Sequence, residues 1–80
     1  MASAHQFVRL PGILRGPERE ATCIVRAIRV TQGDVSTLAR KHVVSVSQNL
    51  PDGIYQLSVD GGPPERVRYS GGHFLDGQFG

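Results

Sequence analysis

An α+β fold, with one or two helices packed on a small antiparallel sheet, is what this sequence predicts, and three observations predict it. Residues 34–50 carry apolar side chains at helical spacing, and residues 54–69 alternate apolar and polar with turn residues between the runs. The chain is 80 residues long, room for a single small α+β domain (1–80) around one modest core.

The first element is a short strand. His5 to Leu10 alternates, with Phe7 and Arg9 on one side and Val8 and Leu10 on the other, until Pro11-Gly12 interrupts it. This strand is expected at an edge of the sheet. Residues 17–30 read two ways. Gly16-Pro17-Glu18-Arg19-Glu20 has the form of a helix start, with proline in the first position and acidic residues in the first turn. Ala21, Ile24, Val25 and Ile28 also gather within about 100° of a helical wheel. Against this, Thr22, Ile24, Val25, Ile28, Val30 and Thr31 are β-branched and favour a strand. Helix is the reading adopted, with strand left open.

Gly33 can end the preceding element, and Asp34 can accept hydrogen bonds from the first amides of a new helix. Over 34–50, Val35, Leu38, Ala39, His42, Val43, Val46 and Leu50 fall on one helical face. A rival parse ends the helix near Lys41 and makes His42–Gln48 a strand that pairs with Ile54–Val59, because Val43-Val44-Ser45-Val46-Ser47 has a strand's composition.

Beyond Pro51-Asp52-Gly53 the pattern is β. Tyr55, Leu57 and Val59 form the expected core face of a strand at 54–59, and Asp60-Gly61-Gly62-Pro63-Pro64 reverses the chain into 65–69. There Val67 and Tyr69 point one way and Arg66 and Arg68 the other. Ser70-Gly71-Gly72 turns into a last strand at 73–75, completing a three-stranded meander, and 76–80 is expected to fray.

Composition narrows the function classes. The formal net charge is +2, but residues 1–41 hold seven basic side chains against three acidic ones while the remainder is −2, so the molecule is mildly polarised. Eight of the nine basic residues are arginine, as codon bias in a G+C-rich genome would produce. No apolar run approaches the ~20 residues that span a bilayer, and MASAHQFVRL is unlike a secretory leader. A cytoplasmic protein read from a complete small open reading frame is expected. The single cysteine, Cys23, lies beside Ile24 and Val25 and reads as an inert buried thiol.

No catalytic or metal constellation is legible. His5, His42, His73 and Cys23 lack metal-ligand spacing. No nucleophile stands in a recognisable motif, and the glycine pairs are explained by turns. His42, on the apolar helical face, reads as an imidazole at the edge of the core. Neither enzymatic activity nor a cofactor is expected. What remains is a contact surface: Arg26 and Arg29, three apart on one helical face; Arg40 and Lys41 near the end of the next helix; and Arg66, Arg68 and Tyr69 on a strand.

With helices beside a short antiparallel meander, an 80-residue frame and the Leu50-Pro51-Asp52-Gly53-Ile54-Tyr55 passage into a strand, the chain resembles small bacteriophage-encoded inhibitors, including anti-CRISPR proteins. Members share little sequence with one another, so no residue role carries over. The resemblance implies stoichiometric inhibition of a host CRISPR-Cas effector complex, through a protein subunit or its nucleic-acid path. The basic surface departs from the acidic, DNA-mimicking members. The expected function is therefore a non-enzymatic protein-binding inhibitor, monomeric or a small homo-oligomer. The alternative is a small basic nucleic-acid-binding regulator, and a structural scaffold component is a third class.

Overall fold

Every regular element is a β-strand in the computed structural model, which describes residues 3–75. The strands are β1 (Ser3–Arg15), β2 (Glu20–Gln32), β3 (Val35–Val46), β4 (Gly53–Val59), β5 (Glu65–Ser70) and β6 (His73–Phe74). They form one antiparallel sheet in the order β3-β2-β1-β4-β5-β6. Three hairpin-connected strands followed by a fourth that returns beside the first is a Greek key. The sheet rolls into a nearly closed barrel whose seam lies between β3 and β5–β6.

The α+β expectation is overturned: no helix occurs among the described residues. Residues 17–30 are not helical, because β2 buries every second residue. Ala21, Cys23, Val25 and Ala27 face inward, while Thr22, Ile24 and Arg26 face out. The β-branched residues win here because a pleated surface suits their restricted χ1. Residues 34–50 are not helical either. Gly33 (φ 61°) and Asp34 form a two-residue hairpin loop, so Asp34 caps no helix.

The helical period in β3 has a specific origin. Two register shifts against β2, at Val44 and at Arg40-Lys41, each insert an extra residue into β3. The residues that the register puts on the core side are consequently Leu38, Lys41, Val43 and Val46, with spacings of three, two and three, which imitate a helix. The rival strand at 42–48 exists in part, but its partner is β2; β4 lies beside β1.

The first strand also differs from expectation. It runs through Pro11-Gly12 to Arg15 and is internal, between β2 and β4. Pro11 is tolerated because its carbonyl, which accepts from the Asp60 amide at 2.8 Å, points to the β4 side just past the end of the β1–β4 ladder. The absent N–H points the same way, so no bond to β2 is lost. Gly12 is required by a close approach: a Cβ there would sit 2.8 Å from Cys23 Sγ.

The C-terminal hairpins follow the alternation read from the sequence. Tyr55, Leu57 and Val67 are buried, Arg66 and Arg68 exposed. Asp60 (φ 52°) and Gly61 (φ 74°), closed by a bond from the Gly62 amide to the Val59 carbonyl, make the type I′ turn that suits twisted strands. The last strand is shorter than 73–75, and the expected fraying at 76–80 lies outside the described residues.

The core joins Leu14, Ala21, Cys23, Val25, Leu50, Tyr55, Leu57, Val67 and Phe74. Leu50 lies on the 47–52 crossover from β3 to β4. That crossover is fastened by Ser47 to Thr22 (2.9 Å), Gln48 Nε2 to the Glu20 carbonyl (2.8 Å) and Tyr55 Oη to the Pro51 carbonyl (2.6 Å). Across the seam, Lys41 Nζ donates to both Glu65 carboxylate oxygens at 2.7 and 2.8 Å.

Candidate functional site: the outer face of the β-arm

Because β4 pairs with β1 only over Gly12–Arg15, the rest of β1 and the facing parts of β2 and β3 project from the barrel as a three-stranded arm. The molecule is accordingly 45 Å long and only 21 by 18 Å across. The arm, residues 3–11 and 26–40, holds Arg9, Arg26, Arg29 and Arg40 against Asp34, a net +3, whereas the rest of the chain is −1. The excess positive charge is therefore localised in the part of the fold with the least core.

Register decides which of these side chains meet, since directly opposed residues on antiparallel strands share a face. Arg9 faces Arg26, and Arg26 faces His42, giving a row of basic groups across all three strands on the outer face. The flanking row is Phe7 against Ile28. Phe7 is 81% exposed, so its ring stands open to solvent beside the basic row. Phe7, Arg26, Ile28, Arg40 and His42 line one shallow groove of about 500 Å³. Arg40 reaches it from a left-handed backbone (φ 50°) at the second bulge of β3. On the barrel side the surface continues into a groove of about 860 Å³ lined by Pro11, Ile13, Ile24, Ser45 and Pro64.

The residues anticipated from the sequence are partly assembled here and partly dispersed. Arg26 and Arg29 do not share a face: three apart on a strand, they project to opposite sides, and Arg29 lies on the core side opposite Gln6 and Leu38. Lys41 is not a surface contact. It is buried and ion-paired to Glu65, whereas its neighbour Arg40 is exposed. Tyr69 is half-buried and packs edge-to-face on Tyr55 (6.4 Å) and against Phe74 (4.8 Å), so its ring is spent on the core. Arg66 and Arg68 do project together from β5, beside Gln56 and the exposed Ile54. Arg15, in the same row as Gln56 and Arg66, is held by Glu20 at 2.9 Å.

Sequence reasoning missed Phe7, Arg9 and His42. The signal for the first two was the His5-Phe7-Arg9 alternation, which put Phe7 on the same face as a charge. His42 sat on a helical face that does not exist; in β3 it turns outward beside Arg26, away from the core.

Cys23 is buried, and loss of solvent pushes its thiol up to about 11, which keeps it protonated and non-nucleophilic at neutral pH. No cluster of three metal-ligating side chains occurs among the described residues. No helix among them is long and apolar enough to cross a membrane. Compared with protein-family models, with curated proteins and with solved structures, the chain finds no significant match in any of the three.

Proposed function

We propose that this protein is a non-enzymatic binding module that engages a polyanion, nucleic acid in the first place, through the outer face of its arm. The observation that carries this reading is the Arg9–Arg26–His42 row. Like charges directly opposite on neighbouring strands destabilise a sheet, and among the described residues no carboxylate forms an ion pair with Arg9 or Arg26. A phosphate backbone lying along the row relieves that repulsion and releases its own counterions. The protein contributes charge and shape, and no bond is made or broken.

Fluorescence anisotropy with labelled single-stranded DNA tests the reading. Two arginine–phosphate contacts, from Arg9 and Arg26, give a slope of log K against log salt of about −1.4, or roughly a 7-fold loss between 50 and 200 mM salt. Arg9→Glu combined with Arg26→Glu should abolish binding and leave the circular dichroism spectrum intact. Binding that is insensitive to both salt and the double substitution would sink it.

A second reading, the protein-binding inhibitor of a CRISPR-Cas effector, is favoured by one observation: Arg66 and Arg68 flank Ile54, which is 53% exposed, on a face of β5 separate from the arm. With no helix among the described residues, the fold lacks one of the features on which the resemblance to phage inhibitors rested. Nuclease-resistant, stoichiometric capture of an effector subunit, lost with Arg66→Glu and Arg68→Glu, would favour this reading.

A further inference from the structure

We infer that the polyanion bound by the arm is a single strand, held by stacking one of its bases on the exposed Phe7 ring between His5 and Arg9. This inference rests on the polyanion reading and specifies its ligand. His5, Phe7 and Arg9 are alternate residues of β1; their partners Val30, Ile28 and Arg26 fix all three on the outer face, and all three are exposed. Two residues of antiparallel strand advance about 6.8 Å. Stacked bases are about 3.4 Å apart, so the gap between successive side chains along β1 is one base thick on either side.

The three side chains are suited to line such a slot. A phenyl ring, an imidazole and a guanidinium are each planar, and all three stack on bases. Arg26 and His42 lie one and two strands away, at about 4.8 Å per strand, within reach of the phosphates that flank the stacked base. In a duplex the base faces are already occupied by neighbouring pairs, and the ring of Phe7 would meet only edges or backbone. Among the described residues, no strand pairs with β1 on the side away from β2 over residues 3–10, so backbone donors and acceptors are open beside the slot.

The test compares the wild-type protein with Phe7→Ala and Phe7→Tyr, both at an exposed site where folding is undisturbed. The probes are a labelled thymidine oligomer of about 12 nucleotides, a duplex of equal length, inorganic polyphosphate and polyglutamate. Phe7→Ala should weaken the oligomer by about five- to a hundredfold while changing polyphosphate binding less than about twofold, and Phe7→Tyr should bind the oligomer like wild type. An equal loss on all probes, or no loss with Phe7→Ala, would overturn the stacking inference while leaving the polyanion reading intact. Polyglutamate bound as tightly as the oligomer would overturn it in favour of an acidic protein partner. A wild-type protein that binds none of the four would defeat the polyanion reading itself.

Discussion

Arg9 on β1 and Arg26 on β2 stand directly opposite each other with both side chains on the exposed face of the arm. The barrel does not need this pair, which lies outside the hydrophobic core. Turning a like-charged pair into an opposite-charged one by Arg9→Glu should therefore stabilise the fold by about 0.5–1 kcal/mol. For a domain of this size that raises Tm by a few degrees, by about 4–8 °C per kcal/mol. The same substitution should weaken polyanion binding. Stability rising as binding falls is the signature of a site that costs the fold something; a lower Tm for Arg9→Glu would mean that the row is not repulsive.

The Lys41–Glu65 pair makes an asymmetric prediction about the seam. Lys41's side chain is 10% exposed and Glu65's 43%. Glu65→Gln takes the Glu65 carboxylate away from a buried ammonium and should cost about 1–3 kcal/mol, less than a fully buried pair because water reaches the glutamate side. Lys41→Met leaves a carboxylate that water can solvate and an aliphatic chain of similar shape, so its cost should be under about 1 kcal/mol. Urea unfolding of the two variants checks the order, and an inverted order would show that the ammonium is not the costly member.

The positions of these residues explain what was legible in the sequence. β4 and β5 could be read because Tyr55, Leu57 and Val67 alternate strictly with exposed neighbours over a core. β2 alternates as well, but three of its four buried residues are small (Ala21, Cys23 and Ala27, beside Val25) and Ile24 and Ile28 point outward, so apolarity did not mark the buried face. Tight packing at Gly12 makes small residues suitable there, and that constraint comes from β1 and β4, not from β2 itself. β3 was unreadable for a different reason. Its two bulges slip the phase of a two-residue period, and the sum of those slips resembles a helix. The arm's site inherits both failures: Arg26 sits on the strand read as helix, and His42 lies between the two bulges.

Cys23 sets an alkaline limit to stability. Its thiol is pushed from 9.0 to about 11 by burial. Between those values the unfolded chain has released the proton while the folded chain still holds it, so stability falls as pH rises through this window and levels off above it. The full loss is at most about 2–3 kcal/mol. The measurement is the difference in pH dependence between wild type and Cys23→Ala from pH 8 to 11, which isolates the thiol. Parallel curves would contradict the burial of the thiol, as would rapid alkylation of native protein at pH 8.

Gly12 and Cys23 should be coupled energetically. A Cβ on residue 12 would meet Cys23 Sγ at 2.8 Å, Val25 Cγ2 at 3.2 Å and Leu57 Cδ1 at 3.3 Å. The sulfur is the contact that cannot be accommodated without movement; the two methyl groups need give by only a few tenths of an ångström. Gly12→Ala alone overpacks the core where arm joins barrel and should cost about 1–3 kcal/mol. Cys23→Ala alone removes the sulfur and leaves a small void worth about 1 kcal/mol. Combined, the new methyl group occupies the space that the sulfur vacates, so the double variant should be more stable than the sum of the two losses predicts, by about 1 kcal/mol. Additive losses in urea unfolding would mean that the backbone of β1 moves away from β2 on substitution, and that the arm is not rigidly continuous with the barrel at this point.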